Sequence, residues 1–359
     1  MYSHLRKLDW FLVVIVLLLT GVGLLTIYGI GSPESSVYFK KQLSFLGLAF
    51  FLMLGLSSLD YRLFRNYSSV LIILYLTSLA SLFLVLFSQE IRGVSSWFRL
   101  GPLRVEPIEF IKIVVILLLA KYFSLRHIEM YRIRHLIVSG LYIGLPIAAV
   151  ILQPDFGSIL VLLAIWLGLV LISGIKMRHL LILSIIVILL LIGSWFCLLK
   201  DYQKERIITF LNPDEDPLGR GYHISQSLIA IGSGRIFGQG PAASSQAGLK
   251  FLPEQHTDFI FATLAEQRGL IGILFLLTLF ALLFWRIIKI ALNSSNNFSR
   301  LFAAGLAIML FVQLIINIGM NMALLPITGL TLPLVSYGGS SLVSIFLGLG
   351  ILQSIKARS

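Results

Sequence analysis

Six stretches of this chain, residues 10–33, 42–59, 66–89, 136–154, 156–175 and 180–199, contain no Asp, Glu, Lys or Arg, and 301–355 runs 55 residues without one. A helix needs ~20 such residues to cross ~30 Å of hydrocarbon, so each run is about long enough to span a bilayer. Two more apolar stretches, one behind Glu106 and one behind Asp258, carry isolated charges, and Pro326, Gly329, Pro333, Gly338 and Gly339 divide the longest run in two. The expected fold is an all-α polytopic membrane protein with ten transmembrane helices in one bundle.

Composition agrees with that expectation. Hydrophobic residues make up 58% of the 359, charged residues 12%, and the mean hydropathy is +0.95, whereas soluble domains average ~25% charged. The net charge of +12 would suggest nucleic acid in a soluble protein. Here the excess lies in short loops between apolar runs, which is a membrane pattern, and no nucleic-acid partner is expected. The single cysteine, Cys197, can form neither an intramolecular disulfide nor a cysteine metal cluster. Arg6 and Lys7 ahead of an apolar run resemble a secretory signal. The 24 uncharged residues between Asp9 and Glu34 exceed the ~7–15 of a signal core, so the run is retained as the first span.

Ten spans place both termini on one side of the membrane. With the termini inside, the cytoplasmic segments hold 15 Lys and Arg and the short outer loops hold five, Lys40, Lys41, Arg92, Arg99 and Arg104. This asymmetry orients the chain N-in and C-in. It also puts the large polar loop 200–258, between the seventh and eighth helices, outside the cytoplasm, together with Trp97, the Gln153-Pro154-Asp155 junction and the turn 326–341. No repeat or linker divides the chain, so residues 1–359 read as one integral membrane domain.

Several polar groups stand out against this apolar background. Glu109 and Lys112, three apart on one helical face, lie near the outer end of the fourth span; a charge costs ~2.5–3.5 kcal/mol at a helix centre in lipid, so the pair is expected to face the bundle interior. Either an ion pair aligning helices or a substrate contact would account for it. Asp155 follows a proline and can cap the next helix, or serve a site on the outer surface. In the long loop, Arg220 and Arg235 stand beside glycines, and Gly232-Ser233-Gly234 could meet a phosphate through backbone N–H groups. No strand precedes that stretch and no Walker lysine follows, so a flexible loop is expected. His223 and His256 lack the spacing of a zinc site.

Asp258 ends the long loop where an apolar helix resumes. It can be the N-cap of that helix, or a carboxylate partly desolvated at the membrane edge and thus a better proton acceptor. The Pro- and Gly-rich turn before Ser336 must line protein or water, since exposed backbone is not tolerated in lipid.

Taken together, Gly221-Tyr222-His223, Ile229-Ala230-Ile231-Gly232-Ser233-Gly234, Phe251-Leu252-Pro253-Glu254, His256-Thr257-Asp258-Phe259-Ile260-Phe261 and Pro333-Leu334-Val335-Ser336-Tyr337-Gly338-Gly339-Ser340 resemble the SEDS family (shape, elongation, division, sporulation), closest to its elongation branch. The resemblance implies a peptidoglycan glycosyltransferase of the bacterial cytoplasmic membrane, polymerising lipid II on the extracytoplasmic face beside a class B penicillin-binding protein and the elongation machinery. It implies that Asp258 is the essential acid, and Trp97, Glu109 and Lys112 carry over with it. The sequence departs from the family at Ser96, where an arginine is usual, at Glu106-Pro107-Ile108-Glu109 in place of Gln-Pro-Ser-Glu, at Ser244–Gly248 and at Arg268, so Ser96 is given no role.

Joining sugars from a polyprenyl pyrophosphate requires an acceptor hydroxyl to lose its proton and a polyanion to leave. Asp258 is expected to act as general base. Lys112, Arg220, Arg235 or a bound divalent cation are the candidates for the pyrophosphate. A lipid-linked flippase, which would also show interior charges and broken helices, is the alternative.

Overall fold

The computed structural model describes residues 7–88, 96–100, 103–126, 133–153, 155–175, 178–179, 220–241 and 254–358. Helix α1 (Trp10–Gly29) starts where the Asp9 carboxylate accepts from the backbone N–H of Leu12. Helix α2 (Pro33–Ser58) starts at a Ser32 cap with Pro33 in its first turn, where a missing N–H is harmless. After the short α3 (Arg62–Asn66) come α4 (Ser68–Leu84), α5 (Pro107–Arg126), α6 (Ile133–Leu152) and α7 (Phe156–Ile172). Helix α8 (Arg220–Ser233), α9 (Ile260–Leu292), α10 (Asn297–Asn321) and α11 (Gly339–Arg358) follow among the described residues.

A two-stranded antiparallel hairpin, β1 (Phe98–Leu100) with β2 (Leu103–Val105), precedes α5 and pairs Phe98 with Val105 and Arg99 with Arg104. The fold is therefore mostly helical rather than all-α. In both strands an arginine stands between apolar residues, the two-residue period of a strand, but three residues are too few for that period to stand out in the sequence.

Small residues set the packing. Gly305 of α10 abuts Ile116 of α5 and Leu169 of α7, and Gly348 of α11 abuts Ile113 and Leu306. These contacts bring α5, α7, α10 and α11 together, and α5 is buried along most of its length. A Cβ on Gly23 would overlap the Val335 carbonyl, which lets the turn between α10 and α11 lie against α1. At the opposite end of α1, the Asp9 N–H donates to Gln353 at 2.8 Å, Gln353 donates back to the Asp9 carbonyl at 3.1 Å, and Arg286 pairs with the Asp9 carboxylate. The first and last helices thus meet at one end of the bundle.

Seven helices among the described residues are long and apolar enough to cross a membrane; α7, with 17 residues, is a shorter apolar one, and α5 carries four charges. The chain is a multi-pass membrane protein. The expected span at 180–199 lies outside the described residues, as do 200–219 and 242–253 of the long loop. What is described of that loop is not loose: Ile224, Ser227 and Ala230 of α8 are buried, and the Ser227 hydroxyl donates to the Asn321 carbonyl at 2.8 Å.

The glycine-rich stretch after α8 has a different purpose from the one expected. Helix α9 breaks at Gly269 (φ +64°, ψ −161°), a conformation that only glycine adopts without strain. The break frees backbone groups, and the turn after α8 supplies their partners. Leu270 and Ile271 donate to the carbonyls of Arg235 and Ile236 at 2.9 and 3.2 Å, while Gln239 and Gly240 donate to the carbonyls of Glu266 and Gln267 at 2.8 and 3.1 Å. Gly234 and Gly238 are needed because a Cβ on either would collide with the main chain of α9. The glycines bring backbone to backbone, and the flexible-loop expectation is corrected here.

Candidate active site

Asp258 lies in the turn Glu254–Phe259 that leads into α9. Glu254 takes a left-handed conformation (φ +45°), and its carbonyl accepts from the N–H groups of Thr257, Asp258 and Phe259 at 3.1, 3.1 and 3.3 Å. The helix begins at Ile260 with Phe259 in the cap position, so the cap expected of Asp258 falls one residue later. Four neighbours fix the turn. Asn317 and Asn321, one helical turn apart on α10 and fully buried, each donate to the Asp258 carbonyl at 3.0 Å. The Ser336 hydroxyl donates to the Thr257 carbonyl at 2.6 Å and accepts from the Leu332 N–H at 2.8 Å. The His256 carbonyl accepts from the Tyr337 N–H at 2.8 Å, and its ring stacks on Tyr38 of α2 at 4.0 Å. Gln42 of α2 then bridges the Ser336 carbonyl and the Gly338 N–H. The carboxylate lies beside Gly329, where a Cβ would sit 3.7 Å from Oδ2.

A second polar group gathers at the start of α5. Lys112, with no exposed surface, bonds Glu109 at 2.6 Å. Glu106, between the hairpin and α5, accepts a hydrogen bond from the Trp97 side chain and lies within electrostatic range of Glu109, Lys112 and Asp155. Its enclosed carboxyl is pushed up to about 8, first by burial and then by the Glu109 and Asp155 carboxylates, with Lys112 and the Trp97 hydrogen bond pulling the other way. The Glu106 N–H donates to Ser340 at the start of α11, at 3.0 Å. Asp155 caps α7 as expected, accepting from the Ser158 N–H at 3.1 Å.

The turn between α10 and α11 joins the two groups. Gly329 faces Asp258, and Leu330 packs on Gly157 two residues beyond Asp155. The Leu330 carbonyl is held by Asn317 at 2.7 Å. One buried amide therefore ties the Asp258 turn to the segment lying over the start of α7.

The family model for FtsW, RodA and SpoVE, described as a cell cycle protein, matches residues 9–359. The chain belongs to the FtsW/RodA/SpoVE family. It is 37% identical over 319 residues to the peptidoglycan glycosyltransferase MrdB of Escherichia coli, covering 89% of this chain and 85% of that one. A chain from a peptidoglycan synthase complex, described as coordinating polymerization and crosslinking, superposes with a TM-score of 0.84 at 34% identity, covering 98% of each chain. The rod shape determining protein RodA of Thermus thermophilus superposes with a TM-score of 0.72 at 31% identity, covering 97% of this chain and 96% of that one.

Within this FtsW/RodA/SpoVE fold the residues singled out in the sequence fall into three places. Asp258 and His256 lie in the turn ahead of α9, with Ser336 of the α10–α11 turn bonded to it, while Trp97, Glu109, Lys112 and Asp155 gather where α5 and α7 begin. Arg235 lies apart, on the turn that covers the Gly269 break; the Arg220 side chain is outside the described residues. Ser96 is buried, and its hydroxyl makes no hydrogen bond among the described residues. No three His, Cys, Asp or Glu side chains converge on a metal-sized site among the described residues. The carboxylates and imidazoles among the described residues do not form a preformed divalent-cation centre. Sequence reading passed over Asn321, Tyr38 and Gln42. The signal for Asn321 was present, since Asn317 and Asn321 repeat at four residues within an otherwise apolar run.

Proposed function

We propose that this chain is a peptidoglycan glycosyltransferase that polymerises lipid II into glycan strands during cell-wall elongation, with Asp258 as general base. The observation that carries the reading is the Asp258 turn, whose main chain is held by Asn317, Asn321 and Ser336 while its carboxylate lies beside a glycine. A base must meet the reacting hydroxyl in fixed geometry, and a clamped backbone beside a position without a side chain provides that. In the step proposed, the acceptor 4-hydroxyl oxygen bonds the anomeric carbon of the donor sugar and its proton passes to Asp258. The anomeric carbon–oxygen bond to the polyprenyl pyrophosphate breaks, and the electron pair leaves with the pyrophosphate. Lys112 is committed to Glu109 inside the bundle, so its part is to brace α5.

The proposed topology has ten spans, both termini in the cytoplasm and Asp258 at the outer face. The meeting of Asp9 with Gln353 supports termini on one side, and the Lys and Arg asymmetry supports that side being inside. The relative found within a peptidoglycan synthase complex supports pairing with a class B penicillin-binding protein that would supply the cross-links.

Purified protein supplied with lipid II tests the reading. Glycan ladders that grow with time are expected. Movement of lipid II across proteoliposome membranes without ladders would replace the polymerase by the flippase.

A further inference from the structure

Glu254, which opens the Asp258 turn, takes the left-handed φ of +45°. A residue with a Cβ enters that region at a cost and stays where its surroundings hold it. In this conformation the Glu254 carbonyl collects the N–H groups of Thr257, Asp258 and Phe259. If Glu254 relaxed to an ordinary φ, its carbonyl would turn away and the three N–H groups would lose it together. The stance of Asp258 therefore depends on what pins the limb between Glu254 and Thr257.

Asn317 and Asn321 grip the other end of the turn, at the Asp258 carbonyl. The limb ahead of it is reached at His256, from two directions. The Tyr337 N–H donates to the His256 carbonyl at 2.8 Å. The His256 ring lies flat on that of Tyr38, with centroids 4.0 Å apart and planes 16° from parallel. Tyr337 completes the cluster, its ring 4.9 Å from Tyr38 and 5.7 Å from His256.

Tyr38 has a firm mount. Tyr38, Gln42 and Phe45 follow at intervals of four and three residues and so share one face of α2. Gln42 bridges the Ser336 carbonyl and the Gly338 N–H at 3.1 and 3.2 Å, and Phe45 lies over Gly339, where a Cβ would collide with its ring. The rest of the helix is open, with Leu43, Leu48 and Phe51 exposed. Its far end is fastened again, since Arg358 of α11 donates to the carbonyls of Ser57 and Ser58 at 3.2 and 2.7 Å. Helix α2 is thus braced at both ends, and Tyr38 projects from it onto the strained limb.

We infer that Tyr38 is a positioning residue for the reaction: by stacking on His256 it holds Glu254 in its left-handed conformation and so sets where the Asp258 carboxylate stands. The inference rests on the enzymatic reading above for the part that Asp258 plays. The stack needs the ring of Tyr38 and not its hydroxyl, so phenylalanine should serve in its place.

The test uses the full-length protein in phosphatidylcholine nanodiscs, with amide hydrogen exchange read by mass spectrometry and polymerisation kinetics measured on lipid II. Tyr38→Leu keeps an apolar side chain on α2 and removes the ring. Exchange at residues 257–259 should quicken about 3- to 10-fold, the worth of one aromatic pair, while a peptide within α10 exchanges as in the wild type. The kcat should fall by a similar factor with KM nearly unchanged. Tyr38→Phe should restore both. His256→Leu should match Tyr38→Leu, and the double variant should be no worse than either, because all three remove the same contact. Unchanged exchange in both Tyr38→Leu and His256→Leu would overturn the inference, as would a Tyr38→Phe variant as impaired as Tyr38→Leu. Faster exchange with undiminished kcat would also overturn it, since Tyr38 would then shape the turn without positioning the base. A turn loosened by Tyr38→Leu but not by Tyr38→Phe, in a protein whose wild type makes no glycan, would support the hold of Tyr38 on the turn and remove the enzymatic reading.

Discussion

The side-chain amide of Asn321 donates to the Asp258 carbonyl at 3.0 Å while its own oxygen accepts from the Ala262 N–H at 3.2 Å. One carboxamide thus holds both sides of the junction where the turn becomes α9. The Ala262 N–H belongs to the first turn of the helix, whose donors have no partner within the helix. Phe259 in the cap position has no side-chain oxygen to offer, and Asn321 supplies one from α10. Replacement by leucine leaves that N–H and one bond to the carbonyl unmade in a buried place, at a cost of ~1–3 kcal/mol. Asn321→Leu should lower the melting temperature and slow polymerisation. Normal values for both would show that the Asp258 turn holds without this clamp.

Lys112 and Glu109 form a pair that lipid would not tolerate if broken. Removing one partner of a buried pair costs ~3–5 kcal/mol because the other is stranded, whereas replacing both by apolar residues is often neutral. Lys112→Met should therefore melt well below the wild type, and Lys112→Met with Glu109→Leu should recover most of the loss. Turnover recovering with stability fits the bracing part proposed for Lys112. A stable but inactive double variant would transfer the pair to substrate binding.

Glu106 makes a prediction about pH. Its folded value of about 8 stands above the ordinary 4.5, so between those two the folded protein holds a proton that the unfolded chain has released. Stability should fall as the pH rises through that window, because the half-buried carboxyl beside Glu109 and Asp155 must give up its proton, and should level off above it. Below about 8 the neutral carboxyl resembles the carboxamide usual at this place in the family. Glu106→Gln should flatten the dependence of melting temperature on pH between about 4.5 and 8 without loss of fold; an undiminished slope would assign it to another group.

Which features could be read from the sequence follows from the range of the forces involved. The division of residues 301–355 into two helices was legible, since Pro326 to Gly339 interrupt an apolar run, and α10 and α11 end and begin on either side of them. The Asp155 cap was legible because a cap depends on residues within one turn. The hold on Asp258 was not, because its partners are 59 and 63 residues away on α10. Local sequence offered a cap, and packing from a distant helix decided otherwise. Gly234 and Gly238 lie in a stretch that local sequence reads as a flexible loop, whereas the broken main chain of α9 approaches them, which no local pattern announces.

Asp258 yields the sharpest prediction, because the structure separates two roles that the sequence left joined. The cap position belongs to Phe259, and the bonds that fix the turn use the Asp258 carbonyl and the backbone groups of Thr257 and His256. Asparagine leaves that main-chain network in place and nearly preserves the side-chain shape, so Asp258→Asn should fold and melt like the wild type and still bind lipid II. What it lacks is a group that can take a proton. A general base typically contributes ~10²–10⁴-fold, so polymerisation should fall at least ~100-fold, in kcat rather than KM. Asp258→Glu keeps the carboxylate but carries it one methylene further toward Gly329, and weak residual activity is expected. Full polymerisation by well-folded Asp258→Asn would return the residue to a role in shaping the turn and leave the base to be found elsewhere.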